Sequence, residues 1–195
     1  MNYELTNDQT NALNEINKDL KSEEKMFRLL QGDVGSGKTI VALISCLNVV
    51  NSGYQVAFMA PTEILAYQHY KLAQSLIKDK MKIGFLTSKT DYSERKKIIK
   101  DLETNEIKIL FGTHSVFQEK INYKKLGLVV IDEQHKFGVK QRKKLSDKGG
   151  KNCDVLVMSA TPIPRTMIMT VFGDMDVRSE EHTSELQSQF RISYA

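Results

Sequence analysis

Gly32-Asp33-Val34-Gly35-Ser36-Gly37-Lys38-Thr39 sets three glycines at a spacing that lets the backbone curl, with a lysine and a threonine closing the run. A curled backbone points successive N–H groups inward, and a concave row of N–H donors is an anion site. A helix starting at the lysine would add about half a positive charge at the same place. The Lys38 ammonium would then reach the outer phosphates of a nucleoside triphosphate, and the Thr39 hydroxyl would hold a magnesium ion. A glycine-rich turn with a chance lysine is the bland alternative. The flanks argue against it, since apolar MFRLLQ precedes the run and IVALISCLNVV follows it.

About 95 residues on, Leu128-Val129-Val130-Ile131-Asp132-Glu133 is an apolar run ending in two carboxylates. If the run is a strand, both acids sit at the carboxyl edge of a sheet, where open α/β folds collect ligands. Asp132 suits the orientation of magnesium and its waters, and Glu133 suits polarisation of an attacking water. A solvated acidic turn is the plain reading of such a run taken alone. Gln134 and His135 follow directly, and His135 can hydrogen-bond neighbours at the same edge and report the state of the γ-phosphate. Ser159-Ala160-Thr161 closes the next apolar run and offers two hydroxyls for that link.

These groups need a frame that brings strand ends together. Six short apolar runs read as buried parallel strands: 27–31, 55–60, 82–86, 107–112, 128–132 and 155–159. Helical spacing alternates with them over 38–51, 63–78, 93–103 and 139–146, with one more helix after Pro164. An opening helix capped at Thr6 or Asn7 carries Ala12, Leu13, Ile16 and Leu20 at helical spacing. Strand and helix in alternation predict an α/β fold with a central parallel sheet flanked by helices. His69, Tyr67 and Tyr70 read as packing or surface residues of the helix over 63–78.

Composition narrows the function classes. The 195 residues are 41% hydrophobic and 27% charged, enough apolar material for one compact domain. Lys plus Arg number 28 against 24 Asp plus Glu, a net +4 that suits a nucleic-acid partner without requiring one. The two cysteines, Cys46 and Cys153, exclude a disulfide framework and a zinc site, and fit a reducing cytosol. The start lacks a basic-then-apolar leader and no apolar stretch reaches about 18 residues, so secreted and membrane-spanning readings drop out. Before Arg178 the chain prefers Lys to Arg and is rich in Asn, whereas RSEEHTSELQSQFRISYA has neither Lys nor Asn. RSEEHTSELQS resembles a translated sequencing-library adapter. Residues 1–177 are therefore taken as the domain and 178–195 as a disordered, non-native tail; its two Arg and three Glu removed, the charge is +5.

GDVGSGKT, MAPTEILAYQH, GTHSVFQE, IDEQHKFGVKQR and SATPIPRT together resemble the first motor domain of RecG-type ATP-dependent DNA helicases, in helicase superfamily two. The resemblance runs over about 5–177. It implies a RecA-like P-loop NTPase fold, ATP and magnesium as cofactors, and branched DNA such as forks and four-way junctions as substrate. Gln9 in LTNDQ matches the glutamine that recognises adenine. Pro61, Thr62 and Glu63, with Gly112, Thr113 and His114, match segments that lie along the DNA backbone, and Thr62 also makes a good helix cap. Gln141 and Arg142, within the basic run that includes Lys140, Lys143 and Lys144, match the segment joining the acidic box to DNA; a solvated helix face is the alternative. The run Arg95-Lys96-Lys97 with Lys100 reads as such a face. Gln134, Ser159 and Thr161 match the coupling residues. Lys136 stands where the family commonly has arginine, which keeps the charge and loses any bidentate contact.

Backbone contacts of this kind imply DNA binding that ignores sequence and weakens with salt. By the same resemblance, a second motor domain and a wedge domain complete the machine elsewhere. The expected activity of these residues alone is weak Mg-ATP and DNA binding without unwinding, as a monomer in the bacterial cytoplasm. Three alternatives remain open: a nucleotide-dependent DNA-binding module without turnover, a relative of the transcription-repair coupling translocase, and an unrelated P-loop enzyme such as a transport ATPase or small-molecule kinase.

Overall fold

A computed structural model describes residues 4–78, 80–118, 120–132, 153–160 and the backbone of 192–194. The helices are α1 (Asn7–Leu20), α2 (Lys38–Asn51), α3 (Glu63–Ile77) and α4 (Tyr92–Glu103), with a 3-10 turn at His114–Phe117. The strands are β1 (Phe27–Gln31), β2 (Gln55–Met59), β3 (Lys82–Leu86), β4 (Ile107–Gly112), β5 (Leu126–Asp132), β6 (Asp154–Ser159) and β7 (Ile192–Tyr194). They form one sheet in the order β3-β4-β2-β5-β6-β1-β7, with every described pair parallel. Among the described residues no helix is long and apolar enough to cross a membrane.

Side chains alternate across the sheet and build two cores. On one face Leu30, Phe58, Phe111, Val130 and Met158 pack beneath α1, α2 and α3. On the other, Leu29, Met59, Leu110, Ile131 and Val157 pack beneath α4 and the 3-10 turn. The alternation fixes orientation at the strand ends: Asp132 follows Leu128 and Val130, so its side chain leaves β5 on the α2 and α3 face.

The helices begin where local chemistry allows. Thr6 caps α1, its Oγ1 accepting from Gln9 N at 3.2 Å while Gln9 Oε1 accepts from Thr6 N at 3.1 Å. Thr62 caps α3 by accepting from Leu65 N at 3.3 Å. α2 starts differently, at Gly37 in the left-handed region with no side-chain cap.

Two strand starts differ from the sequence expectation. β5 begins at Leu126, two residues early, because Tyr54 lies against Gly127, where an added Cβ would come within 2.7 Å of the tyrosine Cβ. β6 begins at Asp154, a polar residue held in line because its Oδ1 accepts from Met26 N at 2.8 Å. Ile192–Tyr194 pair in parallel with β1 as a seventh strand. Without it β1 would present a free row of N–H and C=O groups, and a passing segment of chain satisfies them. The helices read at 139–146 and after Pro164 lie outside the described residues.

Candidate functional site

The run from Gly32 to Thr39 joins β1 to α2 as a tight loop. Gly35 and Gly37 have φ of +88° and +84°, where a side chain would be strained, and a Cβ on Gly37 would lie 2.3 Å from Gln9 Nε2. The Lys38 ammonium lies within the curl, donating to Gly32 O at 2.6 Å, Asp33 O at 2.7 Å and Ser36 Oγ at 3.4 Å. It is thus held where an anion cradled by the loop would meet it. Thr39, the second residue of α2, is half-buried, while Asp33, Val34 and Gly35 form the exposed crest.

Gln9 crosses from α1 to this loop, its Nε2 donating to Ser36 O at 2.8 Å. An amide has two N–H bonds and an oxygen with two lone pairs, so after the bonds to Thr6 and Ser36 each end has capacity for one more partner. Arg28 sets the position of α1. It is 1% exposed on β1 and grips Asp19 through Nε at 2.9 Å and Nη2 at 2.6 Å, and Glu15 through Nη1 at 2.7 Å. The sequence reading passed over Arg28, since an arginine inside an apolar strand gives no sign of its partners 9 and 13 residues upstream.

β6 lies between β1 and β5, with Gln31 opposite Ser159 and Met158 opposite Asp132. Gly32 N donates to Ser159 O at 3.3 Å, tying the loop to the end of the middle strand. Two strand spacings, about 10 Å, separate the origin of the loop from the end of β5. Lys38, Thr39, Ser159 and Asp132 therefore share the carboxyl rim. Glu133, Gln134, His135, Gln141, Arg142 and Thr161 lie outside the described residues.

Asp132 does not stand alone. Its Oδ2 lies 2.7 Å from His69 Nε2, both side chains being mostly buried, and the imidazole rests 4.9 Å from the Phe58 ring. This corrects the reading of His69 as a packing or surface residue. A signal was present: Ala66, His69, Ala73 and Ile77 are the buried stripe of α3, and a histidine on such a stripe needs a polar partner.

The remaining rim residues follow β2 and β4. Ala60 N donates to Gly112 O at 2.9 Å, which sets the two strand ends side by side. At Gly112 a Cβ would lie 2.0 Å from Leu86 O, so the backbones of β3 and β4 approach too closely for any side chain. Thr113 then starts the 3-10 turn that holds His114, and Ser115 Oγ ties that turn to Leu86 O at 2.7 Å. The Glu63 carboxylate takes Lys89 Nζ at 2.9 Å and Ser88 Oγ at 3.2 Å. The hydrogen bond from Lys89 holds the carboxyl below its ordinary range, and the same bond raises the lysine. A carboxylate repels phosphate, so what this corner offers an anion is the backbone of the first turn of α3 and the lysine that Glu63 holds.

The opposite rim carries a cleft of about 540 Å³ whose lining includes Lys21, Glu23, Lys25, Ser52, Tyr54 and Asp154. It shares no residue with the rim described above.

With this geometry in place, the likenesses to known proteins are specific. A model of the DEAD/DEAH box helicase family matches residues 6–170. The chain is 51% identical over 177 residues to the ATP-dependent DNA helicase RecG of Aquifex aeolicus, covering 90% of this chain and 22% of that protein. It is 52% identical over 176 residues to RecG of Bacillus subtilis, covering 90% and 26%. A solved structure of RecG bound to a three-way DNA junction superposes with a TM-score of 0.76 at 45% identity, over 90% of this chain and 24% of that one. The Pyrococcus furiosus Hef helicase domain, at 20% identity and a TM-score of 0.70 over 96% of this chain and 37% of its own, shares the fold. The chain spans about a quarter of the length of the RecG relatives. Its fold is the RecA-like fold of helicase motor domains, and with the family model covering most of its length, the chain belongs to the DEAD/DEAH box helicase family.

Proposed function

We propose that the chain is the nucleotide-binding motor domain of a RecG-type ATP-dependent DNA helicase, a translocase that remodels branched DNA in the bacterial cytoplasm. The observation that carries this reading is the common rim: the loop holding Lys38 and the carboxylate of Asp132 flank the end of β6, to which Gly32 is bonded through Ser159 O. The likeness to RecG over 90% of the chain supports the choice of DNA and of branched substrates.

The residues present fit a magnesium-bound triphosphate. The glycine curl and the uncapped start of α2 supply N–H donors, and Lys38 supplies a cation for the outer phosphates. Among the described residues no three His, Cys, Asp or Glu side chains gather as an ion site. Magnesium held by phosphates, water and one or two protein oxygens needs no such cluster, and Thr39 and Asp132 would be those oxygens. When bound, the ion neutralises charge that builds on the phosphates as the terminal bond breaks. Gln9, held over the loop, would take the adenine edge with the remaining capacity of its amide. Glu133 would polarise the water, with Gln134, His135, Ser159 and Thr161 relaying the state of the γ-phosphate.

Pro61, Thr62 and Glu63 at the start of α3, with Gly112, Thr113 and His114 beyond β4, would follow the DNA backbone; Gln141 and Arg142 would add to it. In this reading the domain is one wall of the nucleotide site. A facing domain would supply an arginine, a type of contribution worth about 10³ to 10⁵ in rate in related phosphoryl-transfer systems.

Binding of a fluorescent ATP analogue tests the reading. The expected result is weak, magnesium-dependent binding that Lys38→Ala removes, very slow hydrolysis and no unwinding. Turnover that Lys38 controls should appear on adding the second motor domain of a RecG relative in the same polypeptide. Substantial DNA-stimulated hydrolysis by the 195-residue chain alone would overturn the division of labour. Binding that persists without turnover in the two-domain protein would favour a nucleotide-dependent binding module, and ATP use indifferent to DNA would favour an unrelated P-loop enzyme.

A further inference from the structure

His69 takes no part in the roles above, yet it occupies a buried, paired position beside them. The 2.7 Å contact between Nε2 and Asp132 Oδ2 joins the middle of α3 to the last residue of β5 across a nearly closed interface, the two side chains being 11% and 14% exposed. An ionised carboxylate only accepts hydrogen bonds, so Nε2 carries the proton and donates. The ring has little freedom of its own, because Phe58 lies against it at 4.9 Å and its backbone sits in the second turn of a capped helix. A short carboxylate on a strand end can turn about its own Cβ–Cγ bond. A fixed donor on one oxygen stops that turn and sets the direction of the other.

We propose that His69 is a positioning residue for the metal side of the site. It holds the Asp132 carboxylate in the orientation that magnesium and its waters require, and it ties that orientation to α3, the helix that begins at Thr62. The inference rests on the assignment of Asp132 given under the proposed function. The alternative is a buried histidine that only fills space, which the two predict differently. Partners that orient a metal-binding side chain are typically worth about 10-fold to 100-fold in metal affinity, whereas a packing role acts on folding and leaves the magnesium response alone.

The test uses the 195-residue chain and a fluorescent ATP analogue, titrated first in EDTA and then with rising magnesium. Binding in EDTA depends on the phosphate loop; the tightening with magnesium depends on Asp132. His69→Leu should need at least about 10-fold more magnesium for half-maximal tightening while its binding in EDTA stays unchanged. His69→Gln, whose amide N–H can replace the imidazole donor, should recover most of the response. A wild-type magnesium response in His69→Leu would overturn the proposal, as would equal loss of binding in EDTA by both variants.

A second measurement needs neither nucleotide nor variant of His69. In the nucleotide-free chain labelled with 15N-histidine, the Nε2 proton should exchange slowly with water and resonate downfield, and Asp132→Ala should abolish both properties. A fast-exchanging Nε2 proton in the unmodified chain would overturn the proposal outright. Failure of the unmodified chain to bind the analogue in either condition would overturn the proposed function itself, and a protected Nε2 proton would then remain as a structural contact only.

Discussion

Asp132 and Asp154 sit at opposite ends of neighbouring strands, and they behave as two kinds of carboxylate. Asp132 closes β5 at the carboxyl rim, where its Oδ2 is held by a side-chain donor, His69. Asp154 opens β6 at the amino rim and accepts from the backbone N–H of Met26 at 2.8 Å; burial pushes its carboxyl up to about 6. The rims differ in the same way as a whole. At the amino rim, polar groups staple the frame: Gln55 Nε2 donates to Leu102 O at 3.0 Å and Ile107 O at 2.8 Å while its Oε1 accepts from Lys125 N at 3.0 Å. At the carboxyl rim, Lys38 and Asp132 are held by contacts that a ligand could share or replace. A buried polar residue is thus not in itself evidence of a reactive site. What separates Lys38 and Asp132 from Gln55 and Asp154 is whether a ligand arriving at the rim could share or replace the contacts that hold the group.

The contrast can be broken by substitution. Lys38→Ala should weaken binding of the ATP analogue by about 100-fold, roughly 2.7 kcal/mol, and leave the melting temperature close to that of the unmodified chain; a large fall in melting temperature would place Lys38 among the staples. Gln55→Leu should do the reverse. It removes the buried donor to the Leu102 and Ile107 carbonyls and the acceptor of the part-buried Lys125 N–H, so urea unfolding should show a loss of about 2 to 3 kcal/mol, with nucleotide affinity per folded molecule unchanged. Thr62→Ala should affect both properties modestly, removing about 1 kcal/mol of cap stability and weakening binding to a short duplex a few-fold. Duplex affinity untouched by that change would remove Thr62 from the DNA surface.

The smallest effect concerns Asp154 and has a defined sign. Its folded carboxyl titrates near 6, above the ordinary value of 3.8, with burial the leading cause. The native state therefore takes up a proton before the unfolded chain does, and the contribution of this group to stability rises as pH falls from 7 towards 4. Asp154→Asn should stabilise the chain at pH 7.5 by no more than about 1 kcal/mol, because the side chain keeps some solvent contact that screens it. The gain should shrink as pH approaches 4, as read from melting curves of the two proteins side by side. A gain that grew towards acid pH would mean that Asp154 is held ionised, like a paired surface acid.

Much of the frame was legible because local rules set it. β1, β3 and β4 and helix α2 have the bounds that apolar runs and helical spacing predict, since strands of a parallel sheet covered by helices are mostly apolar and a helix must be apolar on one side. The misplaced strand starts, at Leu126 and Asp154, are positions where a tertiary partner overrides local character. His69 was misread for a related reason: helical spacing shows that it faces inward and cannot show what lies opposite. Arg28 escaped because burial of a guanidinium is possible only when carboxylates converge on it, and those carboxylates belong to α1.

The sequence by itself determined the chemistry of the phosphate loop, the acid that ends β5, and the order of strands and helices along the chain. These depend on residue type and on periods of two and 3.6, which act over a few neighbours. Only the tertiary structure decided that β6 comes between β1 and β5, that Gln9 lies over Gly37, and that His69 reaches Asp132. Each of those is a meeting of segments 26 or more residues apart, fixed by how helix faces cover a twisted sheet, and no local pattern encodes which distant partner a side chain will find.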